Sequence, residues 1–129
     1  MTRTRILLAD DYPPICHAVR RLLEPAYDVI GCVSDGPALL KTALDLKPDI
    51  VLLDIALPLL NGLEAGRRLK KLCPQVKLVF MTMNRDPAIE NEAIRIGASG
   101  YMLKDSIPEQ LLPAIENAVT GIHEPSRQC

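Results

Sequence analysis

Short, unbroken apolar runs alternate along this chain with longer stretches in which apolar residues recur every three or four positions. Five runs stand out, at residues 5–9, 27–33, 50–53, 77–82 and 100–103. Ile/Val/Leu-rich runs of this length, bounded by charged or turn residues, predict buried strands. Between them lie helical patterns. Pro13-Pro14 opens one with Ile15, Val19, Leu22 and Leu23 on its inner face. Proline is tolerated in a first turn because its missing N–H would be unpaired there anyway. A second helix near 37–46 turns Leu39, Leu40, Ala43 and Leu44 inward and stops at Pro48, and a third runs from Gly62 to about Leu72. Asp86-Pro87 starts a fourth, which Gly97 ends because glycine readily takes the left-handed conformation. The last begins with Ser106 as N-cap, reaches about Thr120, and faces inward through Leu111, Leu112, Ile115 and Val119.

Strand–helix alternation with short connections implies right-handed crossovers and a parallel sheet covered by helices on both faces. The predicted class is α/β. In such sheets ligands bind beyond the carboxyl ends of the strands, where the winding reverses. Asp10-Asp11 follows the first run directly and Asp54 follows the third, so three carboxylates are expected to converge at one sheet edge. Left alone they would repel one another, and a hard divalent cation is the natural counter-charge. Thr82 and Lys104 fall at the ends of the fourth and fifth runs.

Composition narrows the picture. The 129 residues suffice for one hydrophobic core and not for two ordinary domains. With 48% apolar residues and only 3% aromatic, that core must be aliphatic. Fifteen basic residues against sixteen acidic ones argue against a whole-surface attraction to nucleic acid or anionic lipid. Met-Thr-Arg-Thr-Arg followed by four apolar residues is no signal peptide, and no stretch reaches membrane-spanning length, so a cytoplasmic location without membrane contact is expected. Cys16, Cys32, Cys73 and Cys129 show no zinc spacing and are expected to be free thiols. His17 and His123 are isolated, and Arg67, Arg68, Lys70 and Lys71 suggest a solvated helix face, as does Arg20-Arg21.

Together, Asp10-Asp11, the stretch Asp54-Ile55-Ala56-Leu57-Pro58 with Gly62, Thr82, Tyr101 and Lys104 resemble the receiver domain of bacterial two-component response regulators. The likeness covers residues 4–120, so residues 1–120 are expected to form a receiver domain and 121–129 a tail or linker stub. Gly97-Ala98-Ser99-Gly100-Tyr101-Met102-Leu103-Lys104-Asp105 looks most like the subgroup whose receivers precede a helix-turn-helix output domain. The resemblance implies a flavodoxin-like doubly wound sheet of five parallel strands in the order 2-1-3-4-5, with five helices.

It also implies chemistry. Asp54 would be the phosphoacceptor, taking a phosphoryl group from the phosphohistidine of a sensor histidine kinase with Mg2+ bound. Asp11, Asp54 and the backbone carbonyl of Ala56 would contact the metal, with Asp10 helping indirectly. Lys104 would pair with Asp54 and then with the phosphoryl oxygens, Thr82 would follow them inward, and Tyr101 would swing as Thr82 moves. The first helix is where this family typically meets its kinase. The outcome would be a switch rather than an enzyme, with autocatalytic transfer and hydrolysis, altering the surface of the fourth helix and fifth strand to control an output such as transcription. A homodimer on phosphorylation is a further expectation, and DNA contact would come only through an output domain outside residues 1–129.

Two positions depart from common receivers. Asp105 replaces a proline that often follows the lysine through a cis bond; a non-proline cis bond costs about 3 kcal/mol, so a trans peptide is expected. Met83 replaces a small residue and, with Asn84, is expected to modulate access to Asp54. Three rival functions fit less well. A flavin-binding module would place an anion against Asp10-Asp11, an aspartate-nucleophile phosphatase generally wants an aspartate where Ala56 stands, and a degenerate receiver working without phosphate would not need the complete acidic pocket.

Overall fold

The computed structural model describes residues 3–122. Five strands, β1 (Arg5–Ala9), β2 (Asp28–Val33), β3 (Ile50–Asp54), β4 (Lys77–Thr82) and β5 (Gly100–Leu103), alternate with five helices. The helices are α1 (Pro13–Leu23), α2 (Gly36–Leu46), α3 (Gly62–Leu72), α4 (Pro87–Ile96) and α5 (Ile107–Ile122). All strand pairs are parallel and the order is β2-β1-β3-β4-β5, as expected from the sequence.

Alternation along the central strands divides the core in two. Ile6, Leu8, Ile50, Leu52, Val79 and Met81 meet Val19 and Leu23 of α1 and Leu111 and Ile115 of α5. Leu7, Ala9, Val51, Leu53, Leu78 and Phe80 point the other way, onto Leu39, Ala65, Leu69 and Ala93 of α2, α3 and α4. Strands buried on both faces need continuous apolar runs rather than alternating ones, which is why β1, β3 and β4 are legible in the sequence. Leu44 and Leu112, expected inward, are instead exposed, because each helix buries a narrower stripe than its apolar residues span.

Helix ends set the loops at the carboxyl edge of the sheet. Asp35, Asn61 and Asp86 cap α2, α3 and α4, each side chain accepting a backbone N–H of the first turn. Gly97 ends α4 with φ 103, as its sequence position predicted. Ser106 does not cap α5: a 3-10 turn, Lys104–Ser106, leads into the helix, and the Ser106 hydroxyl donates to the Asp105 carboxylate instead. Every described peptide bond is trans, including Lys104–Asp105. The reading of residues 123–129 as a tail, with His123 and Cys129, lies outside the described residues; α5 runs two positions past Thr120.

The free-thiol expectation fails at two of the four cysteines. Cys16 in α1 and Cys32 in β2 form a disulfide, with Cα atoms 6.8 Å apart. A bulge explains the meeting. Ile6 pairs with Val29 but Leu7 with Gly31, so one extra residue in β2 brings Cys32 beside Leu8, on the face covered by α1. Cys73 is a free thiol.

Candidate functional site

Parallel register brings the carboxyl ends of β1, β3, β4 and β5 together. Ala9 pairs with Leu53, Asp54 with Met81 and Thr82 with Leu103, so Asp10, Asp54, Thr82 and Lys104 arrive at one edge from four neighbouring strands. Carboxylate oxygens of Asp10, Asp11 and Asp54 all lie within 4.8 Å of one another. Asp10 and Asp54 are buried and Asp11 is exposed, so the cluster opens to solvent through Asp11.

Lys104 enters from the far side. Its Nζ donates to Asp54 Oδ2 at 3.0 Å and forms an ion pair with Asp10 Oδ2 at 2.7 Å. Asp10 Oδ2 is buried, and among the described residues the Lys104 ammonium is the group of opposite charge beside it. Backbone groups hold the other oxygens: Tyr12 N–H donates to Asp10 Oδ1 at 2.9 Å and Ala56 N–H to Asp54 Oδ1 at 3.0 Å. Burial raises the Asp10 pKa and the Asp54 charge adds to the rise, while Lys104 and the Tyr12 N–H oppose it. Burial works against the charged form of Lys104, yet its two carboxylate partners outweigh that and its pKa ends above the usual lysine value.

Three carboxylates against one ammonium leave a surplus of negative charge. Among the described residues, Lys104 is the only cation paired with them. A buried carboxylate oxygen whose charge is shared with Asp54 against one ammonium, an all-oxygen donor set and an opening on the Asp11 side fit a hard divalent cation. An anionic cofactor phosphate is disfavoured at the same place, because Asp10 and Asp11 would repel it and Pro13-Pro14 remove two donors from the start of α1.

Neighbouring loops complete the pocket. Gly62 starts α3 against the end of β3: its N–H donates to the Ile55 carbonyl at 2.7 Å, and a Cβ there would collide with the Asp54 main-chain carbonyl. The backbone beside Asp54 is therefore shaped by a residue that only glycine can be. Thr82 is buried, and its hydroxyl donates to the Asn84 carbonyl at 3.1 Å. Met83 and Asn84 are exposed beside it, Met83 to 65%. Tyr101 is half-buried with its hydroxyl enclosed. Burial raises its pKa and the adjacent Thr82 side chain lowers it, but no hydrogen bond of good geometry reaches that hydroxyl.

The structure brings Asp10, Asp11, Asp54 and Lys104 together and places Thr82 at the same sheet edge, with Tyr101 beside Thr82. Sequence reasoning missed the contact of Lys104 with Asp10, because nothing in the local pattern says which strand-end carboxylate a lysine from β5 will reach. It also missed the clamp on the Cys16 end of the loop. The Arg67–Lys71 cluster is only partly a solvated face: Arg67 bridges Glu64 and Glu92, joining α3 to α4, and Lys70 donates to the carbonyls of Pro74 and Val76. His17 is exposed.

A five-stranded parallel sheet in this order, with an acidic cluster and a lysine at its carboxyl edge, defines a CheY-like α/β domain. The sequence model described as "Response regulator receiver domain" matches residues 6–116, and the chain belongs to that family. It is 36% identical over 121 residues to the uncharacterized transcriptional regulatory protein YxjL of Bacillus subtilis, covering 92% of this chain and 56% of that protein. Identity to the nitrate/nitrite response regulator protein NarL of Escherichia coli K12 is also 36%, over 118 residues, covering 90% and 55%. Among solved structures, the LuxR-family two-component response regulator from Aurantimonas sp. SI85-9A1 superposes with a TM-score of 0.87 at 35% identity, covering 94% of this chain and 87% of that one. The chain spans about half the length of these two curated relatives. No helix among the described residues is long and apolar enough to cross a membrane.

Proposed function

We propose that this chain is a phosphorylation-dependent signalling switch in which Asp54 accepts a phosphoryl group from the phosphohistidine of a sensor histidine kinase. The observation that carries the reading is the surplus of carboxylate at the sheet edge, three groups against the one ammonium of Lys104. Asp11, Asp54 and the Ala56 carbonyl would hold Mg2+, with Asp10 acting indirectly. When bound, the cation lowers the repulsion between the Asp54 carboxylate and the incoming phosphoryl oxygens.

The residues of the chain do the rest. The Ala56 N–H fixes one Asp54 oxygen and Lys104 the other, so the carboxylate is oriented before it reacts. Attack by an Asp54 oxygen on phosphorus breaks the phosphorus–nitrogen bond of the donor. Lys104 is then released from Asp54 to neutralise a phosphoryl oxygen, as a compact and mobile charge can. Thr82 exchanges its bond to the Asn84 carbonyl for one to another phosphoryl oxygen. Tyr101, whose hydroxyl is enclosed without a partner, has a reason to move once Thr82 does, since an unpaired buried hydroxyl costs about 1–3 kcal/mol. Phosphorylation thereby biases a two-state element on the α4 and β5 surface. Met83 and Asn84, exposed at the rim, set access for hydrolytic water.

Autocatalytic transfer and hydrolysis belong to this chemistry, and the role is that of a switch rather than an enzyme acting on an external substrate. YxjL is a transcriptional regulatory protein by name, which supports an output in transcription. On this reading DNA would be bound through an output domain rather than by these residues, and phosphorylation would form a homodimer. A cytoplasmic location follows from the same reading. The test is incubation with acetyl phosphate and Mg2+. A mass gain of one phosphoryl group, acid-stable, base-labile and absent in Asp54→Asn, is expected; no gain, or one that survives Asp54→Asn, contradicts the proposal.

A further inference from the structure

The loop that carries Asp10 and Asp11 is pinned to the edge strand twice. At its start, Asp10 N–H donates to the Val33 carbonyl of β2 at 3.0 Å. At its end, in the first turn of α1, Cys16 is bonded to Cys32, the residue before Val33. Residues 10–16 are thus held at both ends by adjacent positions of one strand, with the two carboxylates between the pins. The Cys16 sulfur also lies 3.7 Å from the Asp10 main-chain carbonyl oxygen, so a thiol at that place can donate to it and a disulfide cannot.

Exposure differs across the pair. Cys32 is exposed on the edge strand and Cys16 is buried on the inner side of α1. The Cα separation of 6.8 Å falls within the roughly 4.4–6.8 Å that native bridges span, so the bond can form without moving the backbone. We propose that Cys16 and Cys32 are a reversible thiol–disulfide modification site that sets the order of the acidic loop.

A low-molecular-weight disulfide such as glutathione disulfide is the oxidant. The exposed Cys32 thiolate attacks it; its sulfur–sulfur bond breaks, one glutathione leaves, and a mixed disulfide remains on Cys32. The Cys16 thiolate then attacks the Cys32 sulfur and expels the second glutathione. Two protein thiols are oxidised, one glutathione disulfide is reduced to two glutathiones, and the thiol protons end on the departing molecules. With both pins in place the three carboxylates are held in the converging arrangement. Reduction removes the covalent tie at the α1 end and leaves Asp11 on a loop held only by hydrogen bonds and by the packing of α1. A site held in its binding geometry loses less freedom when it takes a ligand, so the oxidised form binds a divalent cation more tightly, by about threefold. That last effect rests on the cation reading given above.

The experiment equilibrates the full chain in buffers of graded glutathione to glutathione disulfide ratio. Three quantities are read: free thiols at Cys16 and Cys32 by alkylation and mass spectrometry, amide hydrogen exchange across residues 10–18, and Mg2+ affinity. Expected are a reversible conversion of both thiols together, slower exchange in the oxidised form, and Mg2+ binding about threefold weaker on reduction. Cys32→Ser, a change at an exposed position, should hold exchange and affinity at the reduced level in every buffer. Four results overturn the proposal: thiols that stay reduced in glutathione disulfide, a bond that survives excess glutathione, modification confined to Cys73, or exchange rates equal in the two forms. Failure to bind Mg2+ in either form refutes the cation reading instead, and the exchange rates still decide this one.

Discussion

Two groups of charged side chains in this molecule look alike on paper and behave in opposite ways. At the carboxyl edge of the sheet, Asp10, Asp11 and Asp54 face one ammonium, Lys104, and most of the group is buried. Between α3 and α4, Glu64 and Glu92 are laced by Arg67, Arg68 and Arg95, with every side chain about a third exposed or more. Hydrogen bonds from Arg68 and Arg67 lower the Glu64 pKa, and those from Arg67 and Arg95 lower that of Glu92. Each carboxylate of the outer group is satisfied from within the chain. In the inner group Asp10 is pushed the other way, toward its neutral form, because burial outweighs what Lys104 gives it. A balanced outer network fixes one helix against another. An unbalanced buried one is unfinished until something positive arrives.

Lys104→Met should break the contrast most severely. It removes the cation that the inner group is paired with among the described residues, and losing one partner of a buried pair costs about 3 kcal/mol. Urea unfolding of the metal-free chain should show that loss, and saturating Mg2+ should restore much of it. Gly62→Ala comes next. Its new Cβ meets the Asp54 carbonyl, and overpacking of this kind costs about 2 kcal/mol while displacing the carboxylate, so acetyl phosphate labelling should slow as well.

Asp10→Asn should act in the opposite direction and stabilise the metal-free chain by about 1 kcal/mol, as relief of a functional strain commonly does. Its pH dependence has a fixed sign. Because the folded Asp10 pKa lies above the ordinary 3.8, Asp10 contributes stability that is fully present below 3.8 and lost as pH rises through the folded value. The advantage of Asp10→Asn over the native chain should therefore grow from about pH 4 toward neutrality, in unfolding curves taken across that window. Arg67→Gln should have the smallest effect. Exposed pairs contribute little and are screened by salt, so a slight fall in melting temperature that disappears at high ionic strength is expected, with phosphorylation unchanged.

Much of this was legible in the sequence because strands buried on both faces must be written as continuous apolar runs. Their ends therefore mark the sheet edge, which places Asp10, Asp54, Thr82 and Lys104 there from the sequence alone. What was not legible depends on register between elements distant in sequence. The bulge at Ile6/Leu7 decides which face of β2 carries Cys32, and without it Cys32 would sit beside Ala9, away from α1. Within residues 28–33 only Gly31 signals that extra position, because an isolated glycine inside a strand often marks a bulge. The reach of Lys104 to Asp10 as well as Asp54 has the same origin, since side-chain pairing across three strands follows from the twist and stagger of the sheet. Ser106 misled because the last helix is entered through a 3-10 turn, which a capping pattern alone does not distinguish from an α-helical start.

The difference between the two charged groups is tested most directly by calorimetric titration of the metal-free chain with Mg2+ near neutral pH. One cation per chain is expected for the native protein and for Arg67→Gln, and none for the double variant Asp10→Asn, Asp54→Asn. Binding that persists undiminished in the double variant, or that is lost in Arg67→Gln, would contradict the account.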